Sequence, residues 1–522
     1  MKVDFIVNFY HVGKKTDRRV TMKNVLEYLE KSAANYPEKI AAADEISFCS
    51  FSELRRDAQK IGTALIRHFK PNTPVPIFMD KSVNTLKLFF GAVYAGCFYV
   101  LLNPELPAVR ISHIAETLEA EIAVTENSKV QSLKETLPKI KIITFEELIN
   151  EEADEKLLSS IREKMIDTDP LYANFTSGST GVPKGVLISH RSVIDFIDNF
   201  TEIFSITKDD VIGNQAPFDF DVSVKDIYSA MKTGATLQII PKALFSSPAK
   251  LLDYICEREV TTMVWAVSAL CLISAFHGLD YKVPEKVNKI LFSGETMPKK
   301  HLENWMKALK EAQFVNLYGP TEITCNCTYH KVDRSMDYSD GLPIGKPFPN
   351  ERVFLLSDND SVITEKGVTG ELCVSGTALG LGYYNNPEQT SLRFVQNPVN
   401  KNYMEPIYRT GDLAYWGDND NLYFAGRKDF QIKYMGHRIE LEEIEKALSE
   451  VDGVERACCV FLKEKSKLLA FFTGETTGKE IRKSLSEVLP VYMIPTSYTK
   501  LDSMPITKNG KIDRGALAQL KR

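Results

Sequence analysis

Residues 176–185, Thr-Ser-Gly-Ser-Thr-Gly-Val-Pro-Lys-Gly, are the feature that most constrains how this chain can fold. They include three glycines, four hydroxyl residues and one lysine, without a carboxylate. Phe175 precedes them, and the apolar residues 186–188 predict a strand after them. Such a loop offers backbone N–H groups, hydroxyl donors and one positive charge, which suits a polyphosphate. The spacing does not fit the P-loop of GTPases, and the alternative to a phosphate site is a turn-rich surface loop.

Length and composition indicate a large globular protein with more than one domain. At 522 residues the chain is too long for one ordinary core. Its net charge of -5 provides no global attraction to nucleic acid or to an anionic membrane. Nine cysteines without a C-x-x-C pair predict buried, reduced thiols rather than a disulfide framework or a zinc ribbon. We therefore expect a cytoplasmic protein that does not bind nucleic acid.

Two uncharged runs raise the question of a membrane span. Residues 260–279 approach the ~20 residues that a span needs, but their Thr, Ser, His and Gly content makes them too polar. They predict a buried strand that runs into a helix. Residues 88–102 predict a helix followed by a strand. We therefore expect no membrane span.

Strand and helix patterns alternate over most of the chain. Residues 75–79, 82–95 and 98–102 predict a strand, a helix and a strand, and the alternation resumes after the glycine-rich loop. This order predicts parallel sheets flanked by helices, with ligand sites beyond the carboxyl ends of the strands. The fold class is therefore α/β, in layered subdomains.

The pattern changes in the last third of the chain. From Gly341 onward short strands predict a β-rich subdomain, and residues 430–522 predict a small α+β module. The polar segment 426–429 is the natural linker. We therefore place the domains at 1–428 and 429–522.

Four further segments carry more turn-forming and charged residues than a scaffold needs. Any one of these segments is weak evidence for a functional site, since Gly-Asp and Asn-Gly are common turn signals. They are Asn-Leu-Tyr-Gly-Pro-Thr-Glu at 316–322, Tyr-Arg-Thr-Gly-Asp at 408–412, Gly-Arg-Lys-Asp at 426–429 leading to residues 433–440, and Asn-Gly-Lys-Ile-Asp at 509–513. In this order, and with the first loop, they closely resemble the adenylate-forming superfamily. That superfamily includes acyl-CoA synthetases, luciferases and the amino-acid adenylation domains of nonribosomal peptide assembly.

This resemblance implies a reaction in two halves. A carboxylate attacks the α-phosphate of ATP to give an acyl-AMP and pyrophosphate, and a thiol then takes the acyl group. The small C-terminal domain would rotate about a hinge at Asp429. After that rotation, residues 433–440 would line the channel for the thiol-bearing arm.

The resemblance also implies roles at the nucleotide. Lys184, Thr321 and Lys511 would be catalytic, with Lys511 bridging the attacking carboxylate and the α-phosphate, where charge builds up. Glu322 would ligate Mg²⁺. Asp412 would accept the ribose hydroxyls. The full set expected at ATP is Thr176, Ser177, Gly178, Ser179, Thr180, Gly181, Lys184, Gly294, Asn316, Tyr318, Gly319, Thr321, Asp412, Arg427 and Lys511.

Residues 218–226 resemble the motif that supplies an Asp to the α-ammonium of an amino acid. The register gives Asp221, with Asp219 as a competing candidate. A buried ammonium needs a carboxylate partner, which favours an amino acid over a fatty acid. Lys225 either points inward, which would favour an acidic side chain on the substrate, or snorkels to solvent. The expected substrate set is Asp221, Val222, Lys225, Ser293, Leu317, Cys325 and Asn326.

The implied function is activation of an amino acid with ATP and Mg²⁺. Residues 221–233 and 489–495 look most like D-alanine–carrier-protein ligase, and a stand-alone nonribosomal peptide synthetase adenylation enzyme is nearly as good a match. Since the sequence stops soon after Lys511, we expect the thiol acceptor to be a separate phosphopantetheinylated carrier protein, or coenzyme A, and the enzyme to be a monomer. The alternatives are an acyl- or aryl-CoA synthetase, or a catalytically silent adenylate-binding protein.

Overall fold

The computed structural model describes residues 22–178, 181–339, 341–507 and 512–520. Three residues with predicted roles lie outside these ranges: Ser179, Thr180 and Lys511.

The chain alternates strands and helices up to the glycine-rich loop. The strands are β1 Ile40–Ala43, β2 Phe48–Ser50, β3 Pro74–Phe78, β4 Phe98–Leu101, β5 Ile122–Thr125, β6 Lys141–Thr144 and β7 Pro170–Thr176. The helices are α1 Leu26–Asn35, α2 Phe51–Leu65, α3 Val83–Tyr94, α4 Ala108–Thr117, α5 Val130–Thr136, α6 Phe145–Ile149 and α7 Glu155–Lys164. Local sequence sets these boundaries. In α2, for example, Ser50 and Glu53 form a capping box.

A second alternating region follows the loop. Its strands are β8 Lys184–Ser189, β9 Val211–Asn214, β10 Thr236–Ile239, β11 Thr262–Ala266, β12 Lys289–Ser293, β13 Gln313–Tyr318, β14 Thr328–Lys331 and β15 Lys346–Pro347. Its helices are α8 His190–Ile203, α9 Val222–Thr233, α10 Pro248–Glu257, α11 Val267–Ala275, α12 Gly278–Tyr281 and α13 Lys299–Ala308. The uncharged run 260–279 is therefore a buried strand that leads into a helix, as predicted. Within the described ranges, no helix combines the length and apolar character that a membrane crossing requires.

These elements build two large sheets. One has the order β8, β7, β4, β3, β5, β6, and the other has the order β15, β14, β13, β12, β11, β9, β10, β1, β2. The central strands pair in parallel, as predicted, but β8, β14, β15 and β2 pair antiparallel at the edges. The predicted parallel sheets therefore carry additional antiparallel strands at their edges. One large buried cluster joins the sheets, and in it Tyr99 stacks on Phe89 and shares a hydrogen bond with Tyr228.

The last third of the chain is rich in strands, as predicted. Strands β16 Glu351–Leu356, β17 Val362–Ile363, β18 Gly370–Gly376, β20 Phe394–Gln396, β21 Pro406–Trp416 and β22 Leu422–Arg427 form one antiparallel sheet, while β19 Gly382–Tyr383 joins β8 at the edge of the first large sheet. One helix, α14 Pro387–Arg393, lies among them.

The C-terminal segment has its own small sheets and cores. Its elements are β23 Gln431–Tyr434, β24 His437–Glu440, α15 Leu441–Ser449, β25 Val454–Leu462, β26 Lys467–Gly474, α16 Gly478–Val488, β27 Ser497–Lys500 and α17 Arg514–Gln519. The hairpin β23–β24 forms one sheet, and β25, β26 and β27 form another. Two clusters of buried side chains consist of residues from 439 to 517.

Candidate active site

Strands β7, β12 and β13 end at one cavity, as the α/β pattern predicts. The hairpin β23–β24 closes this cavity from the C-terminal side. The predicted site residues that line it are Thr176, Ser177, Asp221, Val222, Ser293, Gly294, Gly319, Thr321, Cys325, Asn326, Asp412 and Arg427. The structure therefore brings together residues from four of the five sequence motifs.

The glycine-rich loop joins β7 to β8, whose ends pair through Thr176 and Lys184. The Lys184 ammonium lies 3.9 Å from a Glu322 carboxylate oxygen and 4.8 Å from the centre of the Tyr383 ring. Burial lowers the pKa of Lys184 to about 8. Ser177 Oγ donates a hydrogen bond of 2.8 Å to the carbonyl of Arg438. The loop thus presents one cation beside a carboxylate and contacts the C-terminal hairpin.

Glu322 lies in the turn after β13 and is fully buried. Tyr383 OH donates to Oε1 at 2.7 Å, and Arg438 Nη1 donates to Oε2 at 2.7 Å. Burial would raise the pKa of this carboxyl group, but Arg438 and Lys184 outweigh burial and hold it at about 2. Glu322 is therefore ionised throughout the physiological range.

Glu322 is the predicted ligand of Mg²⁺. The described residues contain no group of three or more His, Cys, Asp or Glu side chains that could hold a metal ion. Glu322 is a single ionised carboxylate near the phosphate loop. Mg²⁺ in nucleotide enzymes is commonly held by one or two carboxylates plus phosphate and water oxygens, so the residues fit the ion. Glu322 would hold it in exchange for Arg438.

Asp412 is the predicted ribose acceptor, and its two oxygens have different partners. Arg427 Nη1 donates to one and Tyr318 OH to the other. The same guanidinium binds Asp429, the predicted hinge, through bonds of 2.6 and 2.8 Å. Arg427 therefore links the ribose candidate to the residue at which the small module is predicted to begin.

Two acids compete for the substrate ammonium, and both reach the cavity. Asp221 stands at the start of α9, where burial raises the pKa of its carboxyl group and Cys325 Sγ donates to its carbonyl at 3.0 Å. Asp219 already accepts hydrogen bonds from Asn103 Nδ2 at 3.2 and 3.3 Å. Thr321 likewise forms a side-chain hydrogen bond with the Asp221 carboxylate, so each acid has one side-chain donor.

Lys225 does not snorkel to solvent, so that alternative was wrong. Its side chain is fully buried on α9, and Nζ donates a 2.7 Å hydrogen bond to Asn326 Oδ1. Asn326 in turn lines the cavity. Burial lowers the pKa of Lys225, against the opposing effects of Cys325 and Asp221. Its ammonium lies one side chain behind the cavity wall.

Several predicted residues lie near the cavity but outside its lining. Asn316 donates its side-chain amide to the carbonyl of Pro343, and Leu317 packs in the large core. The residues outside the lining are Gly178, Gly181, Lys184, Asn316, Leu317, Tyr318, Glu322 and Lys225. Asn316 and Leu317 therefore support the site from behind.

Other residues in or near the cavity were missed or only partly anticipated. Lys433, in the predicted channel segment, lies 5.4 Å from the Tyr318 ring centre, and Gly436 N donates to Glu295 Oε1 at 2.6 Å. Tyr383, which bonds Glu322, was not predicted, and its one local signal is the Gly-Tyr-Tyr turn at 382–384.

Comparison with known proteins identifies the family. The sequence model of the AMP-binding enzyme family matches residues 29–384, so the chain belongs to this family. Zwittermicin A synthase ZmaJ of Bacillus cereus is 32% identical over 511 residues, which cover 95% of each chain. Tyrocidine synthase 1 of Brevibacillus parabrevis is 30% identical, and one chain of the mycosubtilin synthase of Bacillus subtilis is 33% identical, each over 95% of this chain. The chain spans 45% and 19% of those two relatives.

Solved structures share the fold of this chain. IdnL1 matches with a TM-score of 0.79 at 27% identity, over 93% of this chain and 98% of that chain. Holo-PA1221, an NRPS protein containing adenylation and PCP domains, matches with a TM-score of 0.83 at 22% identity, over 95% and 84%. The predicted fold class and the predicted resemblance are confirmed. The chain therefore has both the sequence and the fold of an AMP-binding enzyme.

Proposed function

We propose that this enzyme activates an amino acid as an aminoacyl-AMP and then transfers it to the phosphopantetheine thiol of a separate carrier protein. The observation that carries this proposal is the Asp221 carboxylate, which reaches the cavity. Across the described ranges no ion pair of 4.0 Å or less involves it. Lys225 and Lys433 act on this carboxylate from farther away, and a partly buried carboxylate with no cation in contact suits the α-ammonium of an amino acid.

The roles of the other residues follow the site. Lys184 and the loop 176–185 would bind the β- and γ-phosphates, and Asp412 with Arg427 would hold the ribose. Bound at Glu322, Mg²⁺ would supply positive charge to the phosphate oxygens. Lys511, which lies outside the described residues, would serve the attack on the α-phosphate, as the resemblance implies.

The buried ammonium of Lys225 supports an acidic side chain on the substrate. An ammonium has three donors, and one of them bonds Asn326 Oδ1. A substrate carboxylate beside Asn326 would pair directly with this charge, whereas D-alanine would leave it with only the longer-range attraction of Asp221 and Asp226. We therefore propose aspartate or glutamate, and place D-alanine second.

We also propose the division into domains 1–428 and 429–522. The two buried clusters formed by residues from 439 to 517 support it. The monomeric state, the cytoplasmic location and coenzyme A as the alternative acceptor remain predictions.

A pyrophosphate-exchange screen tests the proposed reaction. It should include both enantiomers of aspartate, glutamate, alanine and serine, together with fatty and aryl acids. We expect exchange with an amino acid and its loss in Asp221→Asn, with retention in the matched variant Asp219→Asn if Asp221 is the ammonium partner. Exchange seen solely with acids that lack an α-amine would refute the proposal and favour an acyl- or aryl-CoA synthetase.

A further inference from the structure

A buried ion pair connects two distant parts of the chain. Arg110, on α4, donates from Nη1 to Glu443 Oε1, on α15, at 2.5 Å. The two side chains are 6% and 3% exposed. Charges this deeply buried are costly unless they are paired, so the pair stabilises the arrangement in which α4 and α15 meet.

Aromatic side chains lie around the same junction. The His437 ring stacks on Tyr492 with ring centres 3.6 Å apart and planes 10° apart, and Phe220 meets it edge-on at 4.8 Å. All three line the cavity. His437 and Tyr492 belong to the C-terminal segment and Phe220 belongs to the large α/β region, so the junction forms one wall of the cavity.

Residues that the resemblance assigns to the thiol-transfer half of the proposed reaction face the cavity. By the resemblance, Lys511 serves adenylate formation and residues 433–440 serve the thiol. Residues 433, 436, 437 and 438 line the cavity here. In that second half the thiol sulfur bonds to the acyl carbon, the bond from that carbon to the phosphate oxygen breaks, AMP leaves and the thiol proton passes to solvent.

We propose that Arg110 and Glu443 are positioning residues for the thiol-transfer half of the reaction. The pair holds the C-terminal segment where residues 433–440 face the cavity, and it is not needed for adenylate formation. This inference rests on the proposed function, because it needs two half-reactions that can be measured separately.

The first test separates the two half-reactions. Glu443→Gln should leave pyrophosphate exchange within twofold of the wild type, but it should lower aminoacyl-pantetheine formation, with pantetheine as the thiol, at least tenfold. The exchanged pair Arg110→Glu with Glu443→Arg should recover most of that loss. Glu442→Gln, the neighbouring acid on α15, is the matched control and should change neither rate. A proportional fall in both half-reactions, or no fall in either, would overturn the proposal.

The second test needs no substrate. Helix α4 packs against α16 of the C-terminal segment, so hydrogen exchange on α4 reports this contact. In Glu443→Gln, amides 108–117 should exchange at least tenfold faster, while those of α10 keep their wild-type rate. Unchanged exchange on α4 would contradict the proposed role even if the substrate screen fails, whereas failure of the screen alone refutes only the proposed function.

Discussion

Arg438 and Glu322 form a 2.7 Å ion pair between strand β24 and the turn that follows β13. Glu322 is completely buried, and it is also the carboxylate expected to hold Mg²⁺. Its Oε2 cannot serve a guanidinium and a metal ion in full at the same time. The closed hairpin and the metal ion are therefore competitors for one side chain.

This competition predicts the metal dependence of Arg438→Gln. Removing the guanidinium frees Glu322 Oε2, so less Mg²⁺ should be needed for pyrophosphate exchange. We expect the half-maximal Mg²⁺ concentration to fall about two- to tenfold, which corresponds to roughly 0.4–1.4 kcal/mol. Titration of exchange activity with Mg²⁺ measures it.

Arg409→Gln is the matched control for that titration. Arg409 pairs with Glu371 at 2.7 Å in the β-rich sheet and takes no part in the ion pair between Arg438 and Glu322. It should leave the half-maximal concentration unchanged. An equal or higher Mg²⁺ requirement in Arg438→Gln would show that Arg438 does not compete for Glu322.

Lys184 predicts how ATP binding depends on pH. Burial lowers the pKa of its ammonium to about 8, so the positive charge is present below pH 8 and is lost above it. The KM for ATP should therefore rise above pH 8 and approach about tenfold per pH unit. Steady-state kinetics between pH 6.5 and 9.5 measures this slope.

The comparison variant for Lys184 is Lys184→Arg. Arginine stays protonated to above pH 12, so the KM of the variant enzyme for ATP should not change with pH over the same range, whatever its absolute value. A wild-type KM that does not change up to pH 9.5 would mean that Lys184 keeps its charge or does not contact the phosphates.

Local patterns in the sequence predicted the parallel cores of both sheets. Residues 260–279, for instance, form the strand and helix that their polarity indicated. The antiparallel edges were missed because a short strand such as β14 takes its direction from the loops around it, and hydrophobic period does not encode direction. Periodicity thus identifies elements better than their pairing.

Contacts between distant residues limited the prediction of the site. The orientation of Lys225 depends on Asn326, 101 positions away, and the Arg110–Glu443 pair joins residues 333 positions apart. In each pair, the sequence around one residue gives no indication of where its partner lies. The five motifs could be found because each carries its functional side chains in consecutive residues, although residues 408–412 lie within strand β21 and not in the turn that their Gly-Asp pair indicates.

Lys225→Met tests the acidic side chain of the substrate. If the buried ammonium pairs with a substrate carboxylate, its loss removes one partner of a buried ion pair, which costs about 3–5 kcal/mol. The KM for aspartate or glutamate should rise at least about 100-fold, and an uncharged amino acid of similar size should become the better substrate. Lys232→Met is the control, because Lys232 is on the same helix and pairs with Asp198 at 2.7 Å. A Lys225→Met enzyme with unchanged specificity would exclude Lys225 from substrate selection.

Replacement of the buried acid Asp226 by asparagine should raise the free energy of unfolding. It is fully buried on α9, and Asn214 Nδ2 donates to Oδ2 at 2.7 Å. Asp226 Oδ1 and Asn214 Oδ1 have no hydrogen-bond partner in the described structure. An asparagine at position 226 could accept the existing bond and donate to Asn214 Oδ1. The substitution therefore replaces two unpaired acceptors with a donor and an acceptor.

The pH dependence of this effect has a definite sign. Burial raises the pKa of Asp226 from 3.8 to about 7, so the folded state holds a proton that the unfolded state has released. The free energy of unfolding contributed by this group falls as pH rises from about 4 to 7, by up to ~4 kcal/mol. Asp226→Asn should raise the free energy of unfolding by about 1–4 kcal/mol at pH 8 and by less at pH 5. Thermal unfolding at the two pH values measures this difference.

Asp210 is the matched control, because the same change there should have the opposite effect. Burial would raise the pKa of Asp210, but a 2.8 Å ion pair with Lys289 and a hydrogen bond from Thr261 lower it below its usual value. The stability that this ionised carboxylate contributes is present above the unfolded pKa and is lost in acid. Asp210→Asn should therefore destabilise the protein at pH 8, where Asp226→Asn stabilises it. If Asp226→Asn instead destabilises equally at pH 5 and pH 8, the carboxylate is ionised in the folded protein and Lys225 and Lys81 outweigh its burial.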